Sequence, residues 1–234
     1  MDAIVTAGGT FKPDDPLFEL TGVPKKALIP LAGRPMVSWV LEALLGSDVV
    51  ENIVIVGLAA EDLDFQNNHL YFVPPTDNLI DNILAALQRL QDLTPDLKKF
   101  LLFSSDIPLI TPETVRGFVA ECGDQTGDMY YTAIEERTME ARFPGSERSY
   151  EPFKGGRYCG GDGFLMDVAA SHGNIDLARQ MTGSRKSYLR SIRFAGIGFI
   201  VRFLLRQLTI HEAAQQVTEK VGFDPRVVDT KFAE

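Results

Sequence analysis

Residues 2–9 decide the fold, and they read Asp2-Ala3-Ile4-Val5-Thr6-Ala7-Gly8-Gly9. A short apolar run with β-branched residues, stopped by two glycines, is typical of a buried strand. Similar runs cover residues 52–57, which end in Gly57, and residues 100–103, which are followed by Asp106. Because short strands of this kind alternate with amphipathic helices, the sequence predicts βαβ units and an α/β fold with a mostly parallel sheet and helices on both faces.

The helices between these strands are indicated by apolar periodicity. Apolar residues recur at three- and four-residue spacing over residues 79–90, which predicts a helix with Asp77 as its N-cap. Another helix is predicted from Pro35 to Leu45, whereas residues 8–30 are polar and proline-rich and are interpreted as a loop. The remaining predicted elements are strands at 70–73, 129–134, 164–166 and near 227–228, a helix starting at Thr111, and helices over much of 186–221.

The composition is that of a packed globular protein. The chain has 234 residues, of which 45% are hydrophobic and 24% charged, and its formal net charge is −9. We interpret it as a single domain over residues 1–234, with a helical C-terminal elaboration over 174–222. The acidic balance argues against nucleic-acid binding, which requires a basic face.

Three features predict a cytoplasmic protein. The most apolar stretch, residues 194–208, is interrupted by two arginines and is too short to span a membrane. The first apolar run, residues 3–5, is too short for a secretory leader. Cys122 and Cys159 have no metal-binding or redox spacing, so we expect them to be free thiols in a reducing compartment.

Polar residues directly after buried strands point to a binding site. Sheets of this type bind ligands at the carboxyl ends of their strands, where Gly8, Gly9 and Asp106 lie. The two glycines allow main-chain N–H groups to approach an anion, although a tight turn leaving the strand explains them equally well. Asp106 is a suitable ligand for a Mg²⁺ ion, which prefers one or two carboxylates together with substrate phosphates. The alternative role of Asp106 is to cap the following turn or helix. At the end of an apolar strand, its carboxylate is expected to be partly desolvated.

Residues 24–37 supply candidate phosphate-binding cations. The segment reads Pro-Lys-Lys-Ala-Leu-Ile-Pro-Leu-Ala-Gly-Arg-Pro-Met-Val, and its lysines are Lys25 and Lys26. A lysine in a loop acts as a point charge toward a phosphate, whereas two adjacent lysines are commonly a solvated surface pair. Neither the dinucleotide fingerprint nor the P-loop pattern is present, which excludes those two nucleotide-binding modes.

Three motifs occur together and in order: Ala-Gly-Gly after the first strand, Pro-Lys-Lys-x-Leu-x-Pro-Leu-x-Gly-Arg-Pro-Met before the next helix, and Asp-x-Pro-x-x-Thr after the strand at 100–103. In this the chain resembles the MobA-like NTP transferases, a nucleotidyltransferase family that includes sugar-1-phosphate nucleotidylyltransferases and methylerythritol phosphate cytidylyltransferase. The resemblance implies a three-layer Rossmann-like sheet of the GT-A type. It also implies Mg²⁺-dependent transfer of a nucleotidyl group from a nucleoside triphosphate to a small anionic acceptor with a phosphate or hydroxyl group, releasing pyrophosphate.

The resemblance also assigns roles to residues. It implies that Lys26 and Asp106 are catalytic and that Asp106 binds the metal, with Lys25 as the near alternative to Lys26. The implied nucleotide-binding residues are Ala7, Gly8, Gly9, Thr10, Lys25 and Asn82. For Asn82, a polar helix residue beside the sheet is an equal alternative.

The chain departs from the family pattern at two places. The family has an arginine soon after the glycine loop, whereas this loop is longer and contains Lys12 instead. The family's second metal ligand lies near its C-terminal strand, and the candidates are Asp229 and Asp162, the latter beside Gly161 on the implied acceptor side. The last residue, Glu234, lies close to where a further acidic strand motif is expected.

Two other functions remain open. A GT-A-type glycosyltransferase that uses a nucleotide-sugar would also have an aspartate after a central strand, and a non-catalytic nucleotide-binding module would tolerate the missing arginine. In addition, seven basic and no acidic residues lie between Leu177 and His211. This segment is interpreted either as a solvated face, with Phe199, Ile200, Phe203 and Leu204 packed inward, or as an anionic-acceptor or membrane-surface contact over 179–206.

Overall fold

The computed structural model describes residues 1–12, 14–63, 65–182 and 197–233. The chain forms two compact units, Met1–Gly117 and Phe118–Ala233. Cys122 and Cys159 are buried and form no disulfide bond with each other, as predicted. None of the helices in the described ranges combines the length and apolar character that crossing a bilayer requires. The single domain over 1–234 and the elaboration over 174–222 stay predictions.

The first unit contains a four-stranded parallel sheet in the order β6-β1-β4-β5. Its strands are β1 Asp2–Thr6, β4 Ile53–Val56, β5 Leu70–Val73 and β6 Lys99–Ser104, and a small antiparallel ribbon is formed by β2 Pro30–Leu31 and β3 Arg34–Pro35. The helices are α1 Pro16–Thr21, α2 Met36–Leu45, α3 Leu79–Leu93 and the start of α4 Pro112–Glu121, which continues into the second unit. Sheet and helices together confirm the predicted α/β class with a mostly parallel sheet.

Strand β1 is at the centre of this sheet, and its register places the loops at its carboxyl end. Ala3, Ile4 and Val5 are completely buried, as expected for a strand with neighbours on both sides. Thr6 is paired with Val56 of β4 and with Ser104 of β6. The loops that follow the three strands therefore leave the sheet at the same edge.

The amino end of β1 is held by a buried carboxylate. Asp2 is 3% exposed, and it accepts hydrogen bonds from Nδ2 of Asn52 at 3.1 Å and from Oγ1 of Thr94 at 2.6 Å. Because a buried carboxylate is stable only when it is hydrogen-bonded, these contacts tie the starts of β1 and β4 to the end of α3.

Two helix boundaries and one loop differ from the predictions. Helix α3 is capped by Asn78, whose side chain accepts from the Asp81 N–H, so the assignment of Asp77 as N-cap was wrong by one residue. Pro35 precedes α2 and is its N-cap instead of its first residue. The predicted loop at 8–30 contains α1, which begins where the Asp15 side chain accepts from the Leu17 N–H. Both side chains accept hydrogen bonds from backbone N–H groups in the first turn of a helix, which have no partner within the helix. Apolar periodicity does not locate such capping residues.

The second unit is built around an antiparallel hairpin. The strands are β7 Met129–Glu135, β8 Glu151–Phe153, β9 Gly156–Asp167 and β10 Pro225–Asp229, in the order β10-β7-β9-β8. Strand β10 is parallel to β7, whereas β9 is antiparallel to β7 and to β8. The helices are α5 Glu136–Arg142, α6 Val168–Gly173, α7 Ile175–Thr182, α8 Ile197–Leu204 and α9 Ile210–Val221.

Helix α8 corrects one prediction for the basic segment. Phe203 packs edge-on against Phe153 at 5.5 Å between ring centroids, and Phe199 stacks on Phe203. Leu204, which was predicted to pack inward, is 72% exposed. Since successive helical residues are about 100° apart, Leu204 lies on a different face from the two phenylalanines. The predicted helix over residues 186–196 and the basic residues at 185–193 lie outside the described residues.

Candidate active site

The glycine loop leaves β1 in close contact with the loop after β4. Ala7 donates its N–H to the Val56 carbonyl at 2.8 Å, which continues the strand pairing to the start of the loop. A Cβ placed on Gly57 would lie 2.3 Å from Cα of Gly8 and 2.8 Å from the carbonyl carbon of Ala7. Gly57 also has φ of +104°, a conformation that other residues rarely adopt. Gly57 therefore determines how closely the two loops approach.

Asn82 lies against the glycine loop. A Cβ placed on Gly8 would be 3.4 Å from Nδ2 of Asn82. Oδ1 of Asn82 accepts from the Thr76 N–H at 2.6 Å and from Oγ1 of Thr76 at 2.9 Å. Because these two bonds hold the amide oxygen, Nδ2 remains the group directed at Gly8, where it can donate a hydrogen bond to a ligand.

Lys26 lies on the other side of the glycine loop. Its N–H donates to the Gly9 carbonyl at 2.9 Å, and Thr10 and Lys25 form an isolated antiparallel bridge. A Cβ on Gly9 would be 3.9 Å from Cδ of Lys26. The Lys26 side chain is exposed, and in the part of the chain that the structure describes no carboxylate forms an ion pair with it. Its ammonium is thus available to a bound anion.

Lys25 has a partner. Its Nζ lies 2.8 Å from Oδ2 of Asp62, and Ala59 donates its N–H to the same oxygen at 2.9 Å. The bond from Lys25, followed by that from Ala59, lowers the pKa of Asp62 below its ordinary value. Lys25 therefore ties the lysine loop to the segment after β4, and this distinguishes it from its neighbour.

The ribbon after the lysines is fixed to α2 by Arg34. Its guanidinium forms a two-point ion pair with the Glu42 carboxylate and lies 3.8 Å from the centre of the Trp39 ring. This hydrogen-bonded pairing lowers the pKa of Glu42. Trp39 in turn donates its indole N–H to the Leu31 carbonyl at 3.1 Å. The arginine of the Gly-Arg-Pro-Met motif thus supports the loop that carries Lys26.

Asp106 follows β6 at the same edge as the glycine loop, two residues beyond the register pair Thr6–Ser104. Its Oδ1 accepts a hydrogen bond from the Ser104 hydroxyl. The carboxylate is exposed, so the expectation of partial desolvation was wrong. The reason is that the strand ends at Ser104 and the chain bends away from the sheet before Asp106 is reached.

The other predicted site residues belong to the second unit. Oδ2 of Asp162 lies 3.6 Å from Arg148, and Oδ2 of Asp229 lies 2.8 Å from Nε2 of His211. A Cβ on Gly161 would come within 1.9 Å of Oγ1 of Thr132. The pairing of β7 with β9 is irregular between Tyr131 and Ala133, so Gly161 makes room for Thr132 at this bulge.

The donor atoms near Asp106 suit a magnesium ion. A carboxylate and a hydroxyl are hard oxygen donors, which Mg²⁺ prefers, and substrate phosphates complete its shell. Within the described ranges no group of three or more His, Cys, Asp or Glu side chains could hold a metal ion by itself. Asp106 therefore fits an ion that arrives with a phosphate ligand.

A sequence model of the MobA-like NTP transferase domain matches residues 20–192. The chain belongs to this family. The matched region contains Lys25, Lys26, Asn82 and Asp106, whereas the glycine loop precedes it and Asp229 follows it.

Two relatives match part of this chain. A probable molybdenum cofactor guanylyltransferase from Natranaerobius thermophilus is 27% identical over 111 residues, 47% of this chain and 52% of the relative. A 3-deoxy-manno-octulosonate cytidylyltransferase from Synechococcus elongatus is 29% identical over 101 residues, 42% of this chain and 40% of the relative. The chain therefore spans about half or less of the length of these relatives.

Solved structures share the fold over nearly the whole chain. A hypothetical transferase from Thermus thermophilus is 28% identical and covers 99% of this chain and 94% of its own, with a TM-score of 0.84. A 2-C-methyl-D-erythritol 4-phosphate cytidylyltransferase from Francisella tularensis covers 97% of this chain and 89% of its own at 10% identity, with a TM-score of 0.56. The second likeness shows the fold alone.

Sequence reasoning missed three residues that shape the site. Gly57 follows a buried strand in the same way as Gly8, and this parallel was a signal for its role. Thr76 and Asp62 gave no signal, because their roles are to hold Asn82 and Lys25. Thr76 lies six residues from Asn82, in the loop before the helix, whereas Asp62 is 37 residues from Lys25.

Proposed function

We propose that the protein is a Mg²⁺-dependent nucleotidyltransferase, which moves a nucleotidyl group from a nucleoside triphosphate to a small anionic acceptor and releases pyrophosphate. The supporting observation is that the glycine loop, the Lys26 side chain and the Asn82 amide come together at the carboxyl edge of a parallel sheet. Ligands bind at this edge in open α/β sheets. Membership of the family supports the same reaction class.

The residues of the first unit have complementary tasks in this proposal. Main-chain N–H groups of residues 8–10 face the nucleotide without interference from side chains, because Gly8 and Gly9 have none, and Ala7 anchors the start of this loop through its bond to Val56. Asn82 donates to the nucleotide from Nδ2. Lys26 places its ammonium beside the triphosphate, where it offsets negative charge on the phosphate oxygens as the acceptor attacks. The acceptor oxygen displaces pyrophosphate directly, so the bond to the leaving group breaks as the new P–O bond forms.

Asp106 is the residue that would hold the metal. A bound Mg²⁺ ion would supply positive charge to the triphosphate and orient it for in-line attack. The Ser104 hydroxyl fixes the carboxylate by its hydrogen bond to Oδ1. Oδ2 of Asp106 is left as an acceptor for the ion.

The second unit supplies the proposed acceptor side. We assign Gly161 and Asp162 to this role and Asp229 to the second metal ligand. Asp162 is ion-paired with Arg148 and Asp229 is hydrogen-bonded to His211, so each must exchange that partner for its ligand. A cytoplasmic location, which supplies nucleoside triphosphates, belongs to the same proposal.

A panel of ATP, GTP, CTP and UTP, each with and without Mg²⁺, tests the nucleotide. We expect one nucleotide to raise the melting temperature of the full chain in the presence of Mg²⁺, because a ligand bound only to the folded state stabilises it. At 100 times its Kd the stabilisation is about 2.7 kcal/mol. A flat response to all four nucleotides would contradict the proposal.

The released product tests the reaction. With the preferred nucleotide and candidate phosphorylated acceptors, we expect pyrophosphate in amounts equal to the nucleotidylated product. Release of free nucleoside diphosphate from a nucleotide-sugar would identify a glycosyltransferase instead. Nucleotide binding without product for any acceptor would support a binding module.

A further inference from the structure

The second unit contains a cleft whose lining includes none of the residues assigned above to the proposed reaction. Its volume is about 370 Å³, and its wall includes Phe153 and the side chains of Arg137, Arg157 and Arg206. This volume is within the range of about 300–1,000 Å³ that is common for small-molecule sites. The cleft is therefore large enough for a compact ligand and has an apolar wall beside three guanidinium groups.

Two of these guanidinium groups are neutralised within the cleft. Nε of Arg137 lies 2.7 Å from Oε2 of Glu135, and NH1 of Arg157 lies 2.5 Å from Oε1 of Glu136. Arg206 is exposed, and among the described residues it has no carboxylate within ion-pair distance. The described lining thus has one excess positive charge, which belongs to Arg206.

The backbone of Arg206 has a conformation that favours glycine. Helix α8 ends with two hydrogen bonds, from the Gln207 N–H to the Arg202 carbonyl at 2.8 Å and from the Arg206 N–H to the Phe203 carbonyl at 2.9 Å. This pair of bonds is the Schellman motif, in which Arg206 has the left-handed position with φ of +53°. Glycine adopts this conformation without steric cost, so an arginine here is unfavourable for the backbone. In spite of this cost, Arg206 is an arginine that lines the cleft.

We propose that this cleft binds the phosphate group of a small molecule, with Arg206 as its main cation and Phe153 as the wall for an apolar part of the ligand. A guanidinium donates two parallel hydrogen bonds to a phosphate, which gives both strength and orientation. Arg137 and Arg157 add positive charge around the same space while they remain paired with glutamates. The site lies within the second unit, and its test requires no nucleotide. The result of this test is therefore independent of whether the protein transfers nucleotidyl groups.

Isothermal titration of the full chain with phenyl phosphate and with inorganic phosphate tests the site. We expect saturable binding of both, with phenyl phosphate the tighter ligand because its ring covers Phe153. In Arg206→Gly the affinity should fall by about tenfold or more, as expected for the loss of charge-assisted hydrogen bonds. The melting temperature of this variant should be unchanged or raised by up to about 3 °C, since glycine relieves the left-handed backbone.

Three variants complete the test. Gln125→Gly makes the same backbone change at another left-handed residue of this unit, with φ of +55°, without removing a charge, and Lys231→Gln removes an exposed charge that does not line the cleft. Both should bind phenyl phosphate as the wild type does. Arg206→Lys retains the charge but loses the two parallel hydrogen bonds, so its affinity should lie between those of the wild type and of Arg206→Gly, whatever Arg206→Gly does to stability. Absence of saturable binding by the wild type, or equal binding by Arg206→Gly, would overturn the proposal.

Discussion

The ammonium of Lys25 lies 2.8 Å from the Asp62 carboxylate, whereas no such partner is found for Lys26 among the residues that the structure describes. Two adjacent lysines thus have different tasks. Lys25 joins two loops of the first unit. Lys26 lies against Gly9, with its ammonium 5.6 Å from the centre of the Phe11 ring, and this contact leaves its positive charge available to an anion. This difference gives the pair a direct experimental test.

Replacing each lysine by glutamine separates the two roles. Lys26→Gln should weaken binding of the preferred nucleotide by about 10- to 100-fold, because a charged hydrogen-bond donor contributes about 1.5–3 kcal/mol. Its melting temperature without ligand should stay close to that of the wild type. Lys25→Gln should lower the melting temperature and affect nucleotide affinity less. Titration calorimetry and thermal melts measure both, and the opposite order of affinities would assign the phosphate role to Lys25.

The Lys25–Asp62 pair also predicts a dependence on pH. The folded-state pKa of Asp62 is lowered, so the pair stabilises the fold above the unfolded-state value of about 3.9, and this contribution is lost as the pH falls through the lower folded value. The melting temperature of Asp62→Asn should therefore lie below that of the wild type at pH 6, and the two should converge below about pH 4. A difference that stays constant down to pH 3 would contradict this explanation.

Gly57 is predicted to be intolerant of even one additional carbon atom. In Gly57→Ala the new Cβ meets backbone atoms of Gly8 and Ala7, which cannot rotate away, and φ of +104° adds strain. We expect the free energy of unfolding to fall by about 2–4 kcal/mol, and nucleotide binding to be lost. Chemical denaturation measures the first and a nucleotide titration the second.

Gly155 provides a matched control for this substitution. It has φ of +101°, and a Cβ there meets no atom within 4 Å. Gly155→Ala should therefore show only the backbone strain, about 1 kcal/mol. Equal losses in the two variants would mean that the close approach of the loops at Gly57 has no energetic importance.

Asp106→Asn tests the proposed metal ligand. We expect Mg²⁺-dependent pyrophosphate release to fall by about 10²–10³, which is typical for the loss of one group that stabilises charge in the transition state. The exposed position predicts a change of stability within about 0.5 kcal/mol. Asp96→Asn, at an exposed residue before β6, is the control and should release pyrophosphate normally. Unchanged turnover in Asp106→Asn would remove this residue from the proposed machinery.

Much of the first unit could be predicted because its signals are local. The strands at 2–6, 53–56 and 70–73 contain short apolar runs, which are typical of strands in a parallel sheet, and helix α3 shows its apolar stripe directly. The segment 156–163 was not recognised as part of β9, because four of its eight residues are glycines, which have no side chain to indicate a buried face.

The class of the fold, the order of the motifs and the residue types at the edge of the sheet could be read from local patterns, since periodicity and short-range spacing encode them. By contrast, the pairing of Lys25, the close approach of the loops at Gly57 and the position of Arg206 at a cleft are visible only in the folded chain. Each of these features depends on distances between atoms far apart along the chain. Such distances are fixed by strand register and packing, which no local pattern of residues encodes.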